Sequence, residues 1–198
     1  MRFIGVFDYT VWLTYISLAS ALVSMIQAGK GNIRLAVVGI MFSGFCDMFD
    51  GAVARTKKGR TQDEKNFGIQ IDSLVDVVAF GAAPAAVFYA CGLQSWVGVA
   101  ILILYAICGV SRLGFFNVLE TKRQANPQES ACLKTYRGMP ITTSAIITPV
   151  VCAAAWLLPV HIRPWIYHIA PVLMGFFFIL DVQIPKFNVG VLFSAKRK

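Results

Sequence analysis

The sequence predicts an all-α, polytopic integral membrane protein with six transmembrane helices. Three observations carry that expectation. The 198 residues are 57% apolar and only 14% charged, against about 25% charged in a typical soluble domain. Apolar stretches near the roughly 20 residues needed to cross a bilayer recur six times. The basic residues then cluster on alternate connections, as a membrane topology requires.

The stretches fall at 9–28, 33–55, 68–91, 95–118, 138–159 and 164–182. Gly29-Lys30-Gly31-Asn32 separates the first two. Thr56 to Asn66 is a polar loop, Cys91-Gly92 with Gln94-Ser95 a short turn, Glu120 to Lys134 a second polar loop and His161 to Pro164 a short one. Asp8 and the length of the first run point to an uncleaved membrane helix and not a signal peptide. With no repeat or low-complexity segment, residues 1–198 read as one membrane domain. Of the 18 Lys and Arg residues, only Lys30, Arg34 and Arg163 fall on one side. The positive-inside rule therefore places both termini in the cytoplasm and the chain in the cell membrane.

The formal charge of +8 suits cytoplasmic loops and lipid phosphates, so membrane lipids and no nucleic acid are the expected partners. Cys46, Cys91, Cys108, Cys132 and Cys152 form no C-x-x-C pair and read as small buried hydrophobes. His161 and His168 stand apart from any acidic cluster.

Asp47, Asp50, Asp72 and Asp76 lie in or beside the second and third spans. An Asp at a membrane helix centre costs roughly 2.5–3.5 kcal/mol on insertion scales, so four of them need cations, water or a rim position. Asp47 and Asp50 are i,i+3, and Asp72 and Asp76 are i,i+4, so each pair shares a helix face. Gly51, Ala54 and Gly68 continue those faces with almost no side chain. Carboxylate oxygens suit hard cations such as Mg2+ or Mn2+. Two such ions about 4 Å apart can clamp a transferring phosphoryl group. Arg55 can hold a further phosphate oxygen. A membrane cation transporter with an Asp-lined path is the alternative, but it needs no small residues at these spacings.

Asp47-Cys-Met-Asp50-Gly51-Ala-Val-Ala54-Arg55, followed by Gly68-Ile-Gln-Ile-Asp72-Ser-Leu-Val-Asp76, resembles the signature D-x2-D-G-x2-A-R-x8-G-x3-D-x3-D of the CDP-alcohol phosphotransferase family. Every fixed residue is present. One departure is that twelve residues, not eight, separate Arg55 from Gly68. The extra length is expected to extend a tolerant cytoplasmic loop. The resemblance implies a six-helix fold and two divalent ions, Mg2+ or Mn2+, held by Asp47, Asp50, Asp72 and Asp76. It implies CDP binding by Asp47, Gly51, Ala54, Arg55, Gly68 and Asp72, with Asp76 as the catalytic base. It also implies a homodimer, for which Ala82, Ala86 and Ala90 offer close packing.

Later segments narrow the acceptor. Ile71 to Asp76 with Phe80-Gly81-Ala82-Ala83-Pro84-Ala85, then Ser111-Arg112-Leu113-Gly114-Phe115-Phe116-Asn117 and Tyr136-Arg137-Gly138-Met139-Pro140, are similar to the phosphatidylserine synthase branch. That branch uses CDP-diacylglycerol and L-serine and releases CMP. Ser73 and Val77 stand where glycerol-phosphate-transferring relatives usually carry Pro and Lys. Inositol phosphate, glycerol phosphate or another alcohol is the alternative acceptor. Arg112, Asn117 and Arg137 are the candidates for serine or lipid phosphate. The family's usual Pro-Asn in the first span is replaced within Tyr9-Thr10-Val11-Trp12-Leu13-Thr14, where Thr14 aligns with that motif's Thr.

Overall fold

A computed structural model describes Gly5, residues 8–54, 56–57, Gly59, 61–125, 135–181 and 183–185. Among the described residues, six helices make up the fold. They are α1 (Trp12–Gly29), α2 (Ile33–Ala54), α3 (Gln62–Ala90), α4 (Trp96–Ala125), α5 (Ser144–Leu157) and α6 (Arg163–Ile179). The first four are long and apolar enough to cross a membrane. With the 3₁₀ turn Ile141–Thr143, α5 forms a shorter apolar helix over Ile141–Leu157. It and the 17-residue α6 sit at the lower end of the spanning range. Strands β1 (Thr135–Arg137) and β2 (Gln183–Pro185) pair antiparallel, with Tyr136 opposite Ile184. This small ribbon was not expected, because three residues give no readable alternation.

Large apolar side chains such as Leu22, Ile26, Leu35, Phe42, Leu104 and Phe176 face outward, while Ser17, Ser24, Ser43, Ser144 and Thr148 are buried. That inversion suits lipid, where apolar burial gives no drive and helices associate through close packing and hydrogen bonds. The α1–α2 hairpin shows how. Ser20 Oγ donates to the Gly39 carbonyl at 2.8 Å, and Ser24 Oγ to the Ala36 carbonyl at 2.6 Å. Ser17 and Ser43 hydroxyls meet at 2.7 Å. Gly31 closes the hairpin at φ +79°, a left-handed conformation that favours glycine. Gly44 brings α2 against α5, since a Cβ there would lie 2.4 Å from Ala145 Cβ.

Helix α3 begins six residues before the expected span. Thr61 and Glu64 form a capping box: Glu64 N–H donates to Thr61 Oγ1 at 3.2 Å and Thr61 N–H to Glu64 Oε2 at 3.1 Å. The expected loop from Thr56 to Asn66 therefore ends at Thr61. Past Asp76 the helix winds as a π-helix over Val77–Ala82 before resuming α geometry. Buried residues come in pairs four apart: Val75 and Asp76, Ala79 and Phe80, Ala83 and Pro84, Val87 and Phe88. In a regular α-helix each four-residue step overshoots a turn by about 40°, so the stripe would drift off the core. The wider π turn absorbs the drift. Tyr105 of α4 donates its hydroxyl to the Phe80 carbonyl at 2.5 Å and meets Ser144 Oγ at 3.0 Å.

Ala86 and Ala90 pack against this chain's own core, so the small-residue stripe of α3 serves the fold and supplies no separate argument for a dimer. Gly44→Ala tests the packing. Overpacking typically costs about 1–3 kcal/mol, so the thermal unfolding midpoint in detergent should drop by several degrees. An unchanged midpoint would show that α2 and α5 do not depend on this contact.

Candidate active site

Two helices carry the acidic residues, and their one-turn spacings do the aiming. Asp47 and Asp50 come from the end of α2, and Asp72 and Asp76 from the α-wound half of α3. Carboxylate oxygens of Asp47, Asp50 and Asp72 lie within 4.8 Å of one another. Asp76 is buried and lines the same cavity as the other three. Thr14 of α1 donates its hydroxyl to Asp50 Oδ2 at 3.1 Å, which fixes that carboxylate from a third helix.

The carboxylates stand between two cavities. A larger one of about 590 Å³ is lined by Thr10, Thr14, Asp50, Gly51, Ala54, Lys57, Lys65, Gly68 and Asp72, among others. A smaller one of about 260 Å³ is lined by all four Asp, Arg112, Leu113, Phe116 and Pro140–Thr142. Asp50 and Asp72 face both. Gly51, Ala54 and Gly68 form a wall without bulk, as their spacing predicts. Lys57, Gly59 and Lys65 also line the larger cavity. The segment expected to be a tolerant loop is thus part of the site's wall. Its twelve-residue length and its basic residues were the available signal.

Lys57 is held by two carboxylates, Asp8 Oδ2 at 2.6 Å and Glu64 Oε1 at 3.0 Å. The Lys57 hydrogen bond, then that of the Thr10 hydroxyl, hold the Asp8 carboxyl down to about 2. Asp8 and then Glu64 in turn raise Lys57 above its ordinary value. This cluster ties the residues before α1 to the start of α3 at the cavity mouth.

Arg112 of α4 is only 9% exposed. Its Nε donates to the Met139 carbonyl at 3.3 Å. Gly138 shapes that contact at φ +69°, and a Cβ there would lie 2.9 Å from the Leu180 carbonyl. Asn117, paired with Arg112 in the sequence reading, points elsewhere. Its Oδ1 accepts from Ser73 Oγ at 2.8 Å, and it lines neither cavity that flanks the carboxylates. The reason is phase: five residues turn the helix about 140° past a full turn. Arg55 lies outside the described residues, and of Arg137 only the backbone, in β1, is described.

The donor set fits hard divalent cations. Three carboxylates converge, a fourth adjoins, and among the described residues the ion pairs are those of Lys57, with no Lys or Arg paired to the four Asp. Like charges this close on membrane helices need a cation to neutralise them.

A family model for CDP-alcohol phosphatidyltransferases matches residues 9–181. The chain belongs to that family. Among its relatives, the CDP-diacylglycerol–serine O-phosphatidyltransferase of Saccharomyces cerevisiae is 33% identical over 150 residues, 73% of this chain and 52% of the relative. The archaetidylserine synthase of Methanothermobacter thermautotrophicus is 31% identical over 135 residues, 68% of this chain and 53% of the relative. A CDP-diacylglycerol–serine O-phosphatidyltransferase of Methanocaldococcus jannaschii is 28% identical over 173 residues, 87% of this chain and 73% of the relative. The chain thus spans about half the length of the first two.

Asp47→Asn and Asp72→Asn should each weaken Mn2+ binding at least tenfold, read by electron paramagnetic resonance on the purified protein. Unchanged titrations would remove these residues from the cation site. Asp8 supplies a pH test. A carboxyl whose folded value is depressed stabilises the protein above its ordinary range, and that stabilisation is lost as pH falls through the folded value. Asp8→Asn should therefore lower the unfolding midpoint at neutral pH and narrow the gap to the parent as pH falls toward about 2. A constant gap would separate Asp8 from the acid response.

Proposed function

We propose that this chain is a phosphatidylserine synthase, transferring the phosphatidyl group of CDP-diacylglycerol to the hydroxyl of L-serine with release of CMP. The observation that carries the reading is the wall of four carboxylates between two cavities, one large and bordered by Lys57 and Lys65, one small and containing Arg112. The larger suits the cytidine and pyrophosphate, with Thr14, Gly51, Ala54 and Gly68 leaving room and Lys65 adding positive charge. The smaller suits the acceptor's reacting hydroxyl, beside Asp76. The relatives named as serine O-phosphatidyltransferases support the choice of alcohol.

Asp47, Asp50 and Asp72 would hold two divalent ions, Mg2+ or Mn2+, with Asp76 beside them. When bound, such ions neutralise the pyrophosphate and stabilise charge on the transferring phosphoryl group. Asp76 accepts the proton of the serine hydroxyl as that oxygen attacks the lipid-side phosphorus. A new P–O bond to serine forms, the P–O bond to CMP breaks, and CMP leaves toward the larger cavity. Burial of Asp76 and alignment of the two substrates across the wall account for most of the expected rate, as in other phosphoryl transfers. The basic flanks of the spans support cytoplasmic termini and a site at the cytoplasmic face, and the reading includes the homodimer that the resemblance implies.

The test is CMP release from CDP-diacylglycerol with a panel of alcohols in Mg2+ or Mn2+. Serine should be the preferred acceptor. Preference for inositol phosphate or glycerol phosphate would reassign the acceptor, and no CMP release would reject the reaction. Arg112→Lys keeps the charge but loses the planar fork that pairs a carboxylate at two points. It should lower kcat/KM for serine by about ten- to a hundredfold, roughly 1–3 kcal/mol, and leave the KM for CDP-diacylglycerol nearly unchanged. Loss confined to the liponucleotide would move Arg112 to the phosphate site.

A further inference from the structure

Beside the carboxylate site lies a third cavity of about 280 Å³, bounded by α4 through Ser111, Arg112 and Phe115, by Gly138, and by the end of α6 from Phe178 to Asp181. Its walls are largely apolar, with two opposite charges among them. Arg112 is nearly buried, and Asp181 is exposed just past the last turn of α6. Both line this one cavity, so their opposite charges face the same space. Arg112 also lines the cavity that holds all four carboxylates, so one guanidinium borders both spaces.

A guanidinium and a carboxylate at one small apolar cavity match a ligand with a carboxylate and an ammonium on the same carbon. We propose that this cavity is the amino-acid subsite: Arg112 pairs with the α-carboxylate, and Asp181 binds the α-ammonium. The inference rests on the serine-transferring reading and extends it. With the carboxylate seated on Arg112, the hydroxymethyl group is directed toward Asp76 in the adjoining cavity. Asp181 then does two things that Arg112 cannot. It selects for the amino group, and its negative charge disfavours polyol phosphates, whose phosphate would otherwise be drawn to Arg112. Gly138 keeps the wall open, because a side chain there would press on the Leu180 carbonyl.

The experiment measures CMP release by the full chain in CDP-diacylglycerol micelles with Mn2+, comparing the parent with Asp181→Asn and Asp181→Glu. Asp181→Asn should raise the KM for serine about tenfold or more, the usual effect of losing one charged hydrogen bond. Turnover at saturation and the KM for CDP-diacylglycerol should stay within about threefold, and Asp181→Glu should recover part of the loss. Inhibition by 3-hydroxypropanoate, which carries the carboxylate and hydroxyl without the ammonium, should be no weaker in Asp181→Asn than in the parent. An unchanged serine KM overturns the proposal. Equal weakening of 3-hydroxypropanoate also overturns it, because Asp181 would then act only by orienting Arg112. A parent that releases CMP with another alcohol and not with serine rejects the serine reading itself, and the subsite falls with it.

Discussion

Repulsion among Asp47, Asp50, Asp72 and Asp76 is the constraint to which the neighbouring structure answers. Each carboxylate is costly at membrane depth, and placing them together adds like-charge repulsion to desolvation. Such a cluster survives only where the helices that carry it cannot move apart. The contacts nearest to it have that effect. Thr14 reaches Asp50 from α1, Ser73 is tied to Asn117 on α4, and the capping box of Thr61 and Glu64 fixes where α3 starts. The interior polar groups of α1 and α2 then lock the two helices into one hairpin.

The same economy shapes the packing. A soluble protein of this size would place Leu and Phe inside and Ser outside. Here α1, α2 and α5 approach through Ser17, Ser20, Ser24, Gly39, Ser43 and Gly44, and many bulky residues turn outward. Hydroxyl-to-carbonyl bonds add geometric definition to contacts that apolar burial cannot drive in lipid. A hairpin defined in this way holds α2 in register, and Asp47 and Asp50 ride on that register.

Much of this was legible in the sequence, and the limits have physical causes. The number of helices follows from apolar runs broken by polar segments. The carboxylate faces follow from i,i+3 and i,i+4 spacing, which survives any detail of packing. The start of α3 differs from the hydropathy boundary because Gln62 to Asn66 is polar, and hydropathy alone hides a polar first turn. The capping pair Thr61 and Glu64 was the readable clue. Asn117 was grouped with Arg112 on nearness in sequence, which a helix turns into separation in direction. Lys57 escaped notice as a site residue because a loop's path over a cavity depends on tertiary contacts with Asp8 and Glu64.

The π-wound turn of α3 bears on how such a site can diverge. The carboxylate half of the helix obeys α periodicity, while its buried stripe as a whole repeats every four residues. The turn acts as a coupling between two shafts. A change of one residue in its length rotates Asp72 and Asp76 against the remaining bundle by about 100°, with no substitution in either half. Evolution therefore has a single locus at which the direction of attack can be re-aimed, and it lies in neither cavity wall.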